Sequence, residues 1–173
     1  MRQCEDNGAD RKLGQYWEAQ FCQMAAAHGF DFTPFQWGQS GPATFYTATL
    51  KSYTLPDIAI WKSPGQYHEI KHKSPTRHDS FSLEAYRYYA LLHFAETSQQ
   101  FTLYTIHNHA LSGGREAQNN DIAHWITTDI RFLRNPFETF GYSWINGTKK
   151  WVKTLYWPTH QWIPLECFWT SFK

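Results

Sequence analysis

The sequence predicts a mixed α/β domain, on three observations. A segment of helical period covers 12–28, two short strand-like runs follow at 57–61 and 66–73, and a second helical segment at 83–96 leads into another strand at 100–107. The chain has 173 residues, which suits one domain with a single sizeable core. Hydrophobic residues make up 42% of it, enough to separate it from disordered chains.

The elements follow in order. In 12–28 the residues Leu13, Tyr16, Trp17, Phe21, Met24 and His28 recur at helical spacing, with Asp10 as a cap and Gly29 as a stop. Residues 30–43 are rich in aromatics, Gly and Pro and read as an irregular connection. Thr44–Leu50 is β-prone, and Asp57-Ile58-Ala59-Ile60-Trp61 is a short apolar strand. Ser63-Pro64-Gly65 marks a turn, and 66–73 (QYHEIKHK) alternates with period two as the partner strand. Asp79, Ser80 or Ser82 can cap the second helix, whose stripe is Leu83, Tyr86, Ala90, Leu91 and Phe94. After the strand at 100–107 and a polar loop at 112–120, a third amphipathic helix is expected over 122–133, ending before Asn135-Pro136. The tail reads as β-structure, with Asn146-Gly147 as a hairpin turn and another turn at Pro158-Thr159-His160. The whole, 1–173, reads as one domain: a core over about 11–110 and an extension over about 111–173.

Composition limits the function classes. No apolar run approaches the roughly 18–20 residues of a membrane span, and the first residues have no signal-peptide core, so no membrane partner is expected and the cytoplasm is the default location. Cys4, Cys22 and Cys167 are too few and too scattered for a disulfide framework or a metal knuckle. Net charge is +1, but the charge is unevenly spread. Between residues 62 and 78 the basic residues Lys62, Lys71, Lys73 and Arg77 meet one acid, Glu69. Between 141 and 165 there are Lys149, Lys150 and Lys153 and no acid. Such stretches suit a polyanion, or are ordinary solvated faces.

The chemistry concentrates in Asp57 and, eleven residues on, Glu69-Ile70-Lys71. Cutting a phosphodiester needs a cation, a polarised water and alignment for in-line attack. Hard cations such as Mg²⁺ take oxygen ligands, so two carboxylates at one point are a minimal contribution, with the Ile70 carbonyl as a further oxygen. An adjacent lysine can hold or help deprotonate the water and stabilise phosphate charge. On a strand Glu69 and Lys71 share a face while Ile70 takes the other. A two-residue turn at Pro64-Gly65 would pair Asp57 with His72, on the wrong face. A five-residue loop over 62–66 would pair Asp57 with Lys71 and Trp61 with Tyr67. Pro-Gly suits the type I and II turns of longer loops, so the latter is expected, with Asp57 and Glu69 converging.

These residues, Pro56-Asp57 and Glu69-Ile70-Lys71 on adjacent strands, make the chain resemble the PD-(D/E)XK nucleases. The resemblance spans about 11–107. It implies a restriction-endonuclease-like core, helix, three strands, helix, strand, and a Mg²⁺-dependent DNA endonuclease, with Mn²⁺ able to substitute. It also implies that an acid of the first helix, here Glu18, completes the metal set, and that the chain works as a homodimer. Glu84-Ala-Tyr-Arg-Tyr88 resembles the QxxxY element of some members, with Glu in place of Gln. Lys62, Lys73, Arg77, Arg87 and Tyr88, with Lys149 and Lys150 of the tail, are the expected nucleic-acid contacts.

Other readings stand beside this one. His107-Asn108-His109 could offer two imidazoles to a metal, though no third ligand is evident. The aromatics of the tail (Tyr142, Trp144, Trp151, Tyr156, Trp157, Trp162 and Trp169) suit core or interface packing, and with the lysines they could stack bases. A non-catalytic nucleic-acid-binding module of the same fold, or a structural or partner-binding domain, is the alternative to an enzyme.

Overall fold

The computed structural model describes residues 7–35, 44–46, 52–54, 56–115, 118–145 and 148–172. Its centre is a six-stranded mixed sheet. In chain order its strands are β1 (Phe32–Pro34), β4 (Ile58–Ile60), β5 (Gln66–Lys73), β7 (Phe101–Asn108), β8 (Trp125–Asp129) and β11 (Ile163–Pro164), and they lie side by side in that order. Only β5 and β7 run parallel; every other neighbouring pair is antiparallel. The mixed α/β class is the one the sequence predicts.

Helices cover both faces. α1 (Asn7–Ala27) and the short α3 (Leu165–Thr170) close one side, where Trp17, Phe21 and Met24 meet Ile58, Ile60, Ile70, Trp125 and Trp169. α2 (Ala85–Ser98) lies on the other side, under a three-stranded sheet of β6 (Ser80–Glu84), β10 (Thr148–Pro158) and β9 (Phe137–Ile145). Leu91 and Ala95 of α2 pack there with Tyr104, Ile106, Phe81, Leu155 and Trp157. β2 (Thr44–Tyr46) and β3 (Ser52–Thr54) form a separate pair.

Several expectations change. α1 begins at Asn7, so Asp10 lies in its first turn and is not its cap. The apolar pattern starts only at Leu13, so the sequence carries no signal for that extra turn. Gly29 does end the helix region, with φ 77°. The connection at 30–43 holds β1, an edge strand on β4; residues 36–43 lie outside the described residues. Of the β-prone Thr44–Leu50, the described part is β2, which pairs with β3 apart from the central sheet, while 47–50 lie outside the described residues.

α2 starts at Ala85, not Leu83. Ser80, Phe81, Ser82 and Leu83 belong to β6, because Phe81 and Leu83 alternate into the core against β10. Glu84 is the N-cap residue and makes no side-chain cap, so neither Asp79, Ser80 nor Ser82 caps the helix.

The helix expected over 122–133 is a strand. β8 runs between two 3₁₀ turns, Ile122–His124 and Ile130–Phe132, each opened by an aspartate whose carboxylate accepts a backbone N–H. Ile122, Trp125, Ile126 and Ile130 mimic helical spacing, but the Trp-Ile-Thr-Thr run prefers a pleated surface, and the open side of β7 supplies the partner. The tail hairpin forms: β9 and β10 pair up to Ile145 and Thr148, with Asn146-Gly147 outside the described residues. β8 and β11, both beyond residue 110, extend the central sheet.

Candidate active site

The site grows from a mismatch in strand length. β4 pairs with β5 through Ile58 and His68, whereas β5 runs on to Lys73. Five residues, Trp61–Gly65, join the two strands, one residue earlier than the loop expected at 62–66. The register therefore sets Asp57 level with Glu69 instead of Lys71. Parity is kept, so Asp57, Glu69 and Lys71 still share a face, the one beneath α2.

Pro56 has a part in this. Asp57 gives its carbonyl to the Phe35 N–H of the edge strand, so the flanking residues direct their backbone groups toward β5. One more rung would set Pro56 opposite Ile70, and proline has no N–H to donate. The rung is not formed, and the Ile70 N–H goes to the Asp57 side chain, whose Oδ2 accepts it at 2.7 Å. The Ile70 carbonyl is left to a side chain, and Lys71 Nζ donates to it at 3.1 Å.

Glu69 is fully buried and Asp57 nearly so. Lys71 Nζ donates to Glu69 Oε1 at 2.5 Å and stands 3.9 Å from Asp57 Oδ2. Arg87, reaching down from α2, grips Glu69 with both arms of its guanidinium, Nε to Oε1 at 3.0 Å and Nη2 to Oε2 at 2.7 Å. The same Nη2 lies 3.9 Å from Asp57 Oδ1. Sequence reasoning placed Arg87 among nucleic-acid contacts; its hold on Glu69 was missed, because only the tertiary meeting of α2 and β5 reveals it.

The charges follow from these contacts. Burial alone would raise Glu69, but Arg87 and Lys71 outweigh it and hold the carboxyl well below its usual range. Burial and the neighbouring Glu69 charge push Asp57 up. For Lys71, desolvation works toward neutrality, yet the two carboxylates win and raise its pKa, so it stays an ammonium. Half-buried Glu18 on α1 is pushed up to about 7, by burial first and by Asp57 second. It lies within electrostatic reach of all four site groups. Among the described residues, however, no three His, Cys, Asp or Glu side chains meet closely enough to hold an ion as they stand. The donor types still suit a hard cation: the carboxylates of Asp57 and Glu69 and the Ile70 carbonyl come together at Lys71, with the Glu18 carboxylate on the neighbouring helix. An ion entering here would compete with Lys71 and Arg87 for the Glu69 oxygens.

The remaining candidates scatter. Lys73 turns inward to donate to the Ser82 carbonyl, and burial lowers its pKa to about 8. Tyr88 packs on Trp157 with ring centres 5.0 Å apart. Lys62 sits in the β4–β5 loop, at the other end of β5, with its ammonium 4.9 Å from the Phe30 ring. Arg77 is exposed in the loop between β5 and β6. Lys149 and Lys150 are exposed on the outer part of β10. His107 is stacked on Trp17, ring centres 3.7 Å apart, and its Nδ1 lies 3.0 Å from His72 Nδ1; among the described residues it joins no group of three metal-ligating side chains.

No protein-family model matches the chain, and no curated protein matches it. Among solved structures, the 1.6 Å structure of Archaeoglobus fulgidus Hjc, a Holliday junction resolvase from an archaeal hyperthermophile, is similar in shape. The TM-score is 0.49 at 14% identity, over 81% of this chain and 86% of that one.

Proposed function

We propose that the chain is a metal-dependent nuclease of the PD-(D/E)XK kind that hydrolyses DNA phosphodiester bonds. One observation carries the reading. Asp57, Glu69 and Lys71 share one sheet face, with a single ammonium 2.5 Å from one carboxylate and 3.9 Å from the other. A buried acid pair with a cation at the open end of a strand is costly to build and suits a reaction that gathers negative charge.

Asp57, Glu69, the Ile70 carbonyl and Glu18 would hold Mg²⁺, or Mn²⁺ in its place. Such an ion would neutralise phosphate charge and make a bound water more acidic. The protein's own groups do the rest. Lys71, whose pKa the two carboxylates raise, acts as a donor: it orients the attacking water or binds a non-bridging phosphate oxygen. Arg87 keeps Glu69 ionised. Exposed Arg77, in the loop that follows β5, supplies a backbone-phosphate contact.

Incubating plasmid DNA with Mg²⁺ or Mn²⁺, with and without chelator, tests this. Wild type should cut only with metal, and Lys71→Ala should cut about a hundredfold more slowly or worse. A second reading, a non-catalytic nucleic-acid-binding module, draws on Glu69 having both oxygens already engaged. Salt-sensitive binding without metal-dependent cutting would favour it.

A further inference from the structure

The β9–β10 hairpin outgrows the layer it roots in. Leu155 and Trp157 at its base are fully buried against α2. Alternation carries the same face outward through Lys153, Trp151 and Lys149 of β10, with Phe140 and Tyr142 opposite Lys153 and Trp151 on β9. There the face lies open: Phe140 is 58% exposed, Tyr142 64% and Trp151 60%. Clustered exposed aromatics of this kind mark an interaction surface.

Charge says what kind of partner fits. Lys149 Nζ lies 4.8 Å from the Tyr142 ring centre and Lys153 Nζ 5.7 Å from that of Phe140. Lys153 also pairs with Glu138 at 2.8 Å. Over residues 137–165 Glu138 is the sole acid against Lys149, Lys150 and Lys153, so the arm is positive. A second copy of the arm would set lysines against lysines. A polyanion that also offers flat π faces satisfies rings and ammoniums together. Spacing narrows the choice. Phe140 and Tyr142 on β9 are about 6.8 Å apart along the strand, and Trp151 meets Tyr142 edge to face with ring centres 4.8 Å apart. Splayed rings of this kind take unpaired bases one at a time, whereas a duplex keeps its base faces stacked on one another.

The strip leads to the candidate active site. Exposed Tyr86 and Tyr89 lie on α2, the helix that packs against the buried base of the arm and carries Arg87 to Glu69. We propose that this strip binds a single nucleic-acid strand, with unpaired bases on the arm aromatics and phosphates on the lysines, and leads it along α2 to the acid pair. The substrate is then a nucleic acid with a single-stranded segment, such as a flap, branch or melted end. In naming a substrate, the inference rests on the nuclease reading; the binding itself does not need it.

The test is fluorescence anisotropy in chelator, so that nothing is cut, using a labelled oligothymidine strand of about 15 nucleotides and a blunt duplex of equal length. Wild type should prefer the strand by about tenfold or more. Trp151→Ala and Tyr142→Ala should each weaken strand binding about tenfold, the worth of a lost stacking contact, while Trp151→Phe should keep most of it. Equal affinity for strand and duplex, or Trp151→Ala binding like wild type, would overturn the proposal. So would arm variants whose sole effect is to dissociate a dimer in sedimentation. Duplex cutting in Mg²⁺ that is indifferent to Trp151→Ala would end this proposal and leave the nuclease reading standing. Trp151-dependent strand binding by a protein that never cuts in metal would do the reverse.

Discussion

Glu69 has no exposure to solvent and three charge-assisted hydrogen bonds, two of them from Arg87. Removing the guanidinium leaves a buried carboxylate with one cationic donor. Arg87→Ala should therefore destabilise the chain by about 3–5 kcal/mol, read by urea denaturation, and Arg87→Lys should recover part of the loss but not the bidentate geometry. Wild-type stability in Arg87→Ala would show that the pair carries little. A second prediction concerns His68 and His107, both fully buried, whose pKa values burial lowers to about 3. Their ring NMR signals should stay those of neutral imidazole from pH 7.5 to 5. The unfolded chain takes up these protons below about pH 6.5 while the folded chain takes them only near 3, so each ring removes stability on acidification, by about 1.4 kcal/mol per pH unit. Asp57 and Glu18, with raised pKa values, act in the opposite sense. Titration of either ring near pH 6.5 would contradict its burial. At this scale the sequence was informative about identities and silent about partners. The two-residue step from Glu69 to Lys71 fixed their common face, and nothing in it announced that Arg87 would close on Glu69 from a helix on a different layer.

Elements whose pattern is local were legible. β5 came out at its expected bounds because QYHEIKHK alternates without a break, and α1 was legible as a helix, though not its start at Asn7, because its apolar residues recur on one stripe. β6 and β8 were not, since each becomes a strand through a neighbour distant in sequence: β10 for the first, β7 for the second. The central strands are tied by a buried polar chain. His68 Nδ1 lies 2.8 Å from Thr105 Oγ1, which lies 2.8 Å from Thr127 Oγ1. Thr105→Val would cut the chain in the middle and strand a hydroxyl and an imidazole nitrogen. A loss of about 1–3 kcal/mol is expected for each buried group left unsatisfied, measured as a lower denaturation midpoint. No change would mean that the hydroxyls are not bonded across β5, β7 and β8.

For the whole molecule, the sheet divides the work. Its α1 face holds most of the apolar packing and stacked rings around the His68–Thr105–Thr127 chain, while its α2 face carries Asp57, Glu69, Lys71 and Arg87 and continues into the aromatic arm. Among the described residues no helix is long and apolar enough to cross a membrane. In the reading proposed above, the acid pair, held by Lys71 and Arg87 in this structure, opens to a divalent cation. Titrating the protein with Mn²⁺ under electron paramagnetic resonance, which counts free ion, measures this. Saturable binding by wild type that disappears in Asp57→Asn, with far-UV circular dichroism unchanged, is the predicted result. Wild type binding no Mn²⁺, or Asp57→Asn binding it as well as wild type, would contradict the claim.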